Sequence, residues 1–175
     1  LRNRVKGGES YFIDSFAAIQ DLKKKHPEAY DLLEKTKLTF KYDNDGHSMK
    51  AERSFIEGDL SDIRGCINWS PPFQGSRRHT DGITDREGLE AISLWEDMLA
   101  EPARRLEFTL KEGEAVLFDN RRVLHARKSF SDHTPQEAKA AGVEIEPDVP
   151  SRWLKGCYLD GDVIFDRMAV ACQDG

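Results

Sequence analysis

The sequence predicts a mainly β fold with flanking helices, a pattern that suits, without by itself establishing, a jelly-roll-type double-stranded β-helix with helices packed outside one sheet. Two observations predict it. Apolar residues recur at helical spacing in the first half of the chain, around Phe16 and again around Trp95. From Phe108 onward short apolar runs separated by turn residues take over, the signature of strands about five residues long.

The elements follow in order. Gly7-Gly8 ends a strand remnant, and Ser10 to Ile13 forms a strand, after which Asp14 or Ser15 caps a helix carrying Phe16, Ile19 and Leu22. That helix stops near His26, and Pro27, tolerated in a first turn, restarts a second helix to Lys35 that buries Tyr30 and Leu33. Leu38, Phe40 and Tyr42 alternate with polar residues as in a half-buried strand, and Asp43 to Gly46 is turn chemistry, so a hairpin is expected. The pattern from His47 to Arg64 is weak. Ile67 to Trp69 reads as a strand stopped by Pro71-Pro72, with a loop beyond. Thr84 with Glu87 matches a capping box, and Leu89, Ile92, Trp95 and Leu99 predict the longest helix, ending around Pro102. Phe108 and Leu110 open the strand series: Ala115 to Phe118, a polar turn at Asp119 to Arg122, Val123 to Arg127, and Arg152 to Leu159. Residues 131–150, rich in Glu, Ala, Lys and Pro, read as a mobile surface insert.

At 175 residues, with 38% hydrophobic and 33% charged residues, the chain is expected to be one soluble domain with a real core. No run of about twenty apolar residues is present to span a bilayer. A net charge of −6 argues against a nucleic-acid surface, and the basic clusters at Lys23 to Lys25 and Arg77-Arg78 are short enough to be solvated faces. The odd set Cys66, Cys157 and Cys172, without metal-type spacing, fits reduced thiols. His26, His47 and His133 stand in polar or helix-end contexts and are expected to face solvent, and Asn120 to shape its turn.

The chemistry gathers at the C-terminal strands. Alternation puts His125 on one face with Val123 and Arg127, and puts Arg152, Leu154, Gly156 and Tyr158 together on a face of the last strand. If those faces line one cavity, an imidazole, a guanidinium and a phenol meet there. Imidazole is a good ligand for divalent iron, and guanidinium grips a carboxylate through two parallel hydrogen bonds.

The strings FDNRRVLHARKSF (118–130) and RWLKGCYLDGD (152–162) resemble the C-terminal half of the iron(II)- and 2-oxoglutarate-dependent dioxygenases of the TauD/TfdA superfamily. The resemblance is nearest to the gamma-butyrobetaine and trimethyllysine hydroxylase branch. Gly7-Gly8-Glu9-Ser10, with Phe12 and Asp14, and Ile67 to Gly75 fall in the order that branch would have them. The resemblance implies an incomplete double-stranded β-helix dioxygenase fold, with residues 1–175 as the C-terminal part of a single domain. It further implies Fe(II) and 2-oxoglutarate as cofactors, a small, gamma-butyrobetaine-like substrate, and molecular oxygen. His125 would be the distal histidine of a two-histidine, one-carboxylate metal site. Arg152 would hold the distal carboxylate of 2-oxoglutarate, and Tyr158 would stand beside the substrate's quaternary ammonium.

The family's His-x-Asp motif, which carries the other two ligands, is expected before Leu1, so the chain reads as a fragment. His79-Thr80-Asp81 has the same letters inside the chain, but its loop context and its order relative to Gly7-Gly8 count against it. The cytoplasm is the expected compartment, with the mitochondrion as alternative, and a homodimer the expected assembly. The competing functions are a noncatalytic remnant of the fold and an interaction module built on the acidic insert.

Overall fold

The computed structural model describes residues 2–79 and 85–173, and the side chains of 2–75 and 86–172. Strands β1 (Arg2–Asn3), β2 (Val5–Gly7) and β3 (Ser10–Asp14) precede helices α1 (Ser15–Lys25) and α2 (Pro27–Glu34). Then come β4 (Thr36–Asn44), β5 (His47–Ser54), β6 (Ile56–Glu57), β7 (Cys66–Ile67) and β8 (Gln74–His79). Helix α3 (Asp85–Ala100) leads to β9 (Leu106–Phe108), β10 (Val123–Arg127), β11 (Phe130–Asp132), α4 (Pro135–Ala141), β12 (Arg152–Trp153) and α5 (Gly161–Gln173). Most of the elements are thus strands, with flanking helices, as expected, and the sheets among the described residues are small, with two or three strands each.

The larger of two compact units comprises Gly8–Thr109 and Ala115–Ser129. It holds the antiparallel sheets β10-β3-β9, β5-β4-β8 and β6-β7. Asp14 caps α1 by accepting from the amides of Phe16 and Ala17, which fixes where the helix starts. The spacing of Phe16, Ile19 and Leu22 then turns one stripe inward, and α2 adds Tyr30 and Leu33. Together with Leu38, Phe55, Ile92 and Trp95 these side chains make the core. Each large apolar side chain so buried contributes about 1.5–3 kcal/mol. Trp95 meets Phe55 edge-on at 5.5 Å and Trp69 at 6.4 Å.

Several elements differ from the sequence reading. Helix α3 buries Ala91, Ile92, Trp95 and Met98, while Leu89 stays 53% exposed, so its inward stripe is rotated from the expected one. The predicted cap Thr84 lies outside the described residues. Hairpin β4–β5 turns through Asp45 and Gly46, both at positive φ (53° and 77°), the geometry that matches strand twist. Strand β5 is exposed along nearly all its length and so has no alternation to read. Residues after Pro72, expected as loop, form β8 by pairing with β4. Ala115 to Phe118, expected as a strand, has no regular structure.

The smaller unit comprises Leu1–Gly7, Leu110–Glu114 and Phe130–Gly175. Two antiparallel pairs, β1-β12 and β2-β11, build it. Residues 131–150, expected to be a mobile insert, instead contain the end of β11 and all of α4. A reciprocal capping box between Thr134 and Glu137 starts α4, and Gly142, at φ 66°, ends it. The third expected strand is reduced to Arg152–Trp153, because among the described residues only β1, itself two residues long, pairs with it. Helix α5 follows, with Val163, Ile164, Met168 and Val170 all exposed. No helix among the described residues is long and apolar enough to cross a membrane.

Glu137 ties α4 to β2 through Lys6 at 2.6 Å. That contact, followed by hydrogen bonds from Thr134, lowers its pKa to about 2. A lowered carboxylate stabilises the fold above its unfolded pKa of about 4.3, and the contribution is lost as pH falls through the folded value. The carboxyl carbon of Glu137 is therefore expected to titrate near pH 2 by NMR. In Lys6→Gln the midpoint should rise toward the ordinary glutamate range; an unmoved midpoint would show that Lys6 is not its main cause.

Candidate functional site

Strand β10 is positioned by the turn before it. The Asp119 carbonyl accepts from the amides of Arg122 (3.2 Å) and Val123 (2.8 Å), and its carboxylate accepts from the Arg121 amide (2.8 Å). β10 then runs antiparallel to β3, with Val123 opposite Asp14, His125 opposite Phe12 and Arg127 opposite Ser10. Residues paired across a sheet share a face. One face of this sheet therefore carries Leu124 and Ile13, of which Ile13 is buried and Leu124 packs on the core. The opposite face carries His125 and Phe12, and there the histidine side chain is exposed.

His125 sits at the edge of an aromatic cluster. Its ring lies 4.9 Å from Phe118 and 6.4 Å from Phe12. Phe12 in turn stacks on Phe108 at 5.3 Å and meets Phe118 edge-on at 5.2 Å. No hydrogen bond to the imidazole is formed among the described residues, so neither ring nitrogen is engaged by protein there. An exposed imidazole held by ring contacts fits the donor chemistry of one metal ligand. Among the described residues no group of three or more His, Cys, Asp or Glu side chains could hold a metal ion. His79 ends β8, but its side chain and Asp81 lie outside the described residues.

Arg152 and Tyr158 belong to the smaller unit. Arg152 stands opposite Asn3 in the β1-β12 pair, half-buried, and donates to Asn3 Oδ1 at 3.3 Å with its guanidinium 5.5 Å from the Phe130 ring. Asn3 is itself held, donating to the Leu110 carbonyl at 2.7 Å. A planar guanidinium has the two-pronged geometry that suits a carboxylate. The expected strand face shared by Arg152, Leu154, Gly156 and Tyr158 does not form, because β12 ends at Trp153. Tyr158 lies in a segment without regular structure and is 86% exposed.

His133, expected to face solvent, is half-buried, and its Nδ1 is buried without a partner. It lines a cavity of about 270 Å³ in the smaller unit with Arg2, Arg4, Glu144, Glu146 and Ser151. The arginines there are paired with Glu146, at 3.1 Å and 2.9 Å. Cys66 is buried, and burial raises its pKa, so it stays a thiol; Cys157 and Cys172 are exposed.

Sequence reasoning missed the ring cluster around His125 and the contact between Asp14 and Arg122. The signal for the first was present: Phe12 lies on a predicted strand and Phe118 ends an apolar run beside the turn. For the second, nothing local links residues 108 positions apart.

Comparisons with known proteins bear on the family and the fold. "Dioxygenase str8" of Strobilurus tenacellus is 39% identical over 167 residues, covering 95% of this chain and 37% of its own length. Human gamma-butyrobetaine dioxygenase is 29% identical over 180 residues, covering 99% of this chain and 42% of its own. The trimethyllysine dioxygenase of Neurospora crassa is 27% identical, covering 90% and 34%. The chain thus spans roughly two fifths of the length of these relatives. A crystal structure from Burkholderia xenovorans, provisionally described as an alpha-ketoglutarate-dependent taurine dioxygenase, shares the fold with a TM-score of 0.56 at 20% identity, over 73% of this chain and 44% of that one. The family described as taurine catabolism dioxygenase TauD, TfdA matches residues 1–158, nearly the whole chain, and the chain belongs to that family.

Proposed function

We propose that this chain is the C-terminal part of an Fe(II)- and 2-oxoglutarate-dependent oxygenase that hydroxylates a small substrate of the gamma-butyrobetaine type, as in carnitine biosynthesis. The observation that carries the reading is His125: an exposed imidazole with no hydrogen bond among the described residues, backed by Phe12 and Phe118. A histidine kept only for packing would be expected to bury its ring and satisfy a nitrogen. His125 serves as one iron ligand, and the two further ligands come from outside the described residues. Arg152 holds the distal carboxylate of 2-oxoglutarate, its fork presented by Asn3. Tyr158 offers an aromatic face to a quaternary ammonium, which attracts a cation that cannot donate hydrogen bonds.

When bound, iron with 2-oxoglutarate and oxygen supplies the oxidising power for an unactivated C–H bond, and the protein supplies geometry and exclusion of water. Phe12, Phe108 and Phe118 form an apolar surface beside His125, which keeps water from the reacting carbon and gives an aliphatic segment a surface to lie on.

The complete protein should form succinate from 2-oxoglutarate in step with hydroxylation of gamma-butyrobetaine, and only with Fe(II). Absence of succinate with every tested trimethylammonium acid, together with absence of Fe(II) binding, would leave the chain as a noncatalytic member of the family. Tyr158→Ala should raise the KM for a trimethylammonium substrate about three- to tenfold, the range of a partly exposed cation–π contact, and leave the 2-oxoglutarate requirement alone. An unchanged KM would remove Tyr158 from the substrate.

A further inference from the structure

We propose that Asp14 and Arg122 are positioning residues for His125, a clamp that holds the strand carrying the imidazole in register. The inference rests on the reading of His125 as an iron ligand, but its geometry stands apart from the metal. Arg122 is the last residue of the turn before β10, and both ends of it grip the junction of β3 with α1. Its guanidinium meets the Asp14 carboxylate with both prongs, Nε to Oδ1 at 3.0 Å and Nη2 to Oδ2 at 2.6 Å. Its carbonyl accepts from the Ser15 amide at 3.1 Å and from the Ser15 hydroxyl at 2.5 Å. The guanidinium also lies 5.3 Å from the ring of Phe16, a buried residue of α1. Asp14 at the same time caps α1, so the clamp fastens the strand to a helix embedded in the core.

The adjacent residue works on the other side of the turn. Arg121 donates to the Arg64 carbonyl at 2.7 Å, and its own carbonyl accepts from the Ile67 amide at 3.2 Å. Two neighbouring arginines thus tie one short turn to two separate segments. The consequence for His125 follows from strand periodicity: a slip of one residue would carry every side chain of β10 to the opposite face. His125 would then point at the core, and Leu124 at solvent. Because β10 has five residues and, among the described residues, pairs on one side only, its ladder alone gives a modest barrier to such a slip.

As a stability element this pair would be unremarked, since half-exposed ion pairs contribute little. Its importance is local, and the test must separate local positioning from general destabilisation. Asp14→Asn keeps a good helix cap but loses the charged two-pronged contact, and Arg122→Lys keeps the charge but loses the fork. The complete protein is labelled, and amide exchange is read for β10 together with the ring-to-ring NOE between His125 and Phe118. In each variant, exchange over β10 should rise about fivefold and the NOE weaken, while hairpin β4–β5 exchanges as before. The double variant should be no worse than either single one, as expected when both changes remove one contact. Glu90→Gln, which breaks the exposed Arg86–Glu90 pair at 2.8 Å, should leave all these readings unchanged.

Additive effects of the two substitutions, or β10 exchange and ring contacts matching those of the unsubstituted chain, would overturn the clamp. Equal loosening of β4–β5 would also overturn it, by showing a general loss of stability. The measurements contain no metal, so failure of the ligand assignment, tested by His125→Ala in the complete protein, is read independently.

Discussion

Replacing His125 with alanine in the complete protein is expected to abolish iron-dependent turnover and leave the fold in place. The two halves of this expectation come from different facts. The side chain is exposed and its main contacts are the rings of Phe12 and Phe118, so its removal deletes little buried volume and orphans no buried polar group. The inward face of β10, carried by Leu124, is untouched. Loss of metal is a different matter. Even a residue that only orients a ligand typically costs 10- to 100-fold in metal affinity or activity when changed, and a ligand itself costs more. Fe(II) binding and succinate formation should therefore fall together while the melting temperature stays within a few degrees. His79→Ala and Asp81→Ala should be nearly silent in the same assays. If either matched His125→Ala in metal loss, His79-Thr80-Asp81 would be the second ligand motif and the chain would carry all three ligands itself. Near-normal succinate from His125→Ala would remove that histidine from the metal.

The strand bearing His125 was legible because three local signals agreed: a turn rich in Asp, Asn and Arg, a β-branched Val123, and alternation of apolar with polar residues through Arg127. The helix starts at Asp14 and Pro27 were legible for similar reasons, since capping chemistry is written within four residues. Strand pairing is not written locally. Ala115 to Phe118 has the composition of a strand but no strand partner among the described residues, and β8 has almost no apolar residues yet pairs along β4. The segment after Trp153 failed for the first of these reasons, which left Tyr158 off any strand. In α4 the sequence did contain the answer: Thr134, Pro135 and Glu137 spell a capping box with proline in the first turn, and the Lys- and Glu-rich composition of the segment masked it. Around the site, alternation correctly gave the face of His125, but the rings against it come from residues 12, 108 and 118, which only the fold brings together. The family resemblance carried residue roles that neither local pattern nor fold could supply.

Arg152→Lys is expected to raise the 2-oxoglutarate requirement strongly while changing affinity for the substrate much less. Lysine keeps the positive charge but presents a single ammonium, so it cannot match the two oxygens of a carboxylate at once. In this structure the loss is compounded, because the guanidinium is held in place by Asn3 and by the face of Phe130, and a lysine side chain has neither the extended donor set nor the planar group to reproduce both. A charge-assisted, two-pronged contact in a partly dry site contributes about 2–3 kcal/mol, which corresponds to roughly a thirtyfold or greater rise in half-saturation. The short β1-β12 pair should survive, since its backbone register, Asn3 opposite Arg152 and Arg2 opposite Trp153, does not depend on the guanidinium. Titrating 2-oxoglutarate against the complete protein and the variant, with Fe(II) and substrate saturating, isolates the cosubstrate contribution. The same titration with Arg152→Met, which keeps much of the apolar stem but no charge, should give a still larger rise. If the half-saturation point for 2-oxoglutarate stays fixed while that for the substrate moves, Arg152 recognises the substrate's carboxylate, and the cosubstrate must be held by another cation.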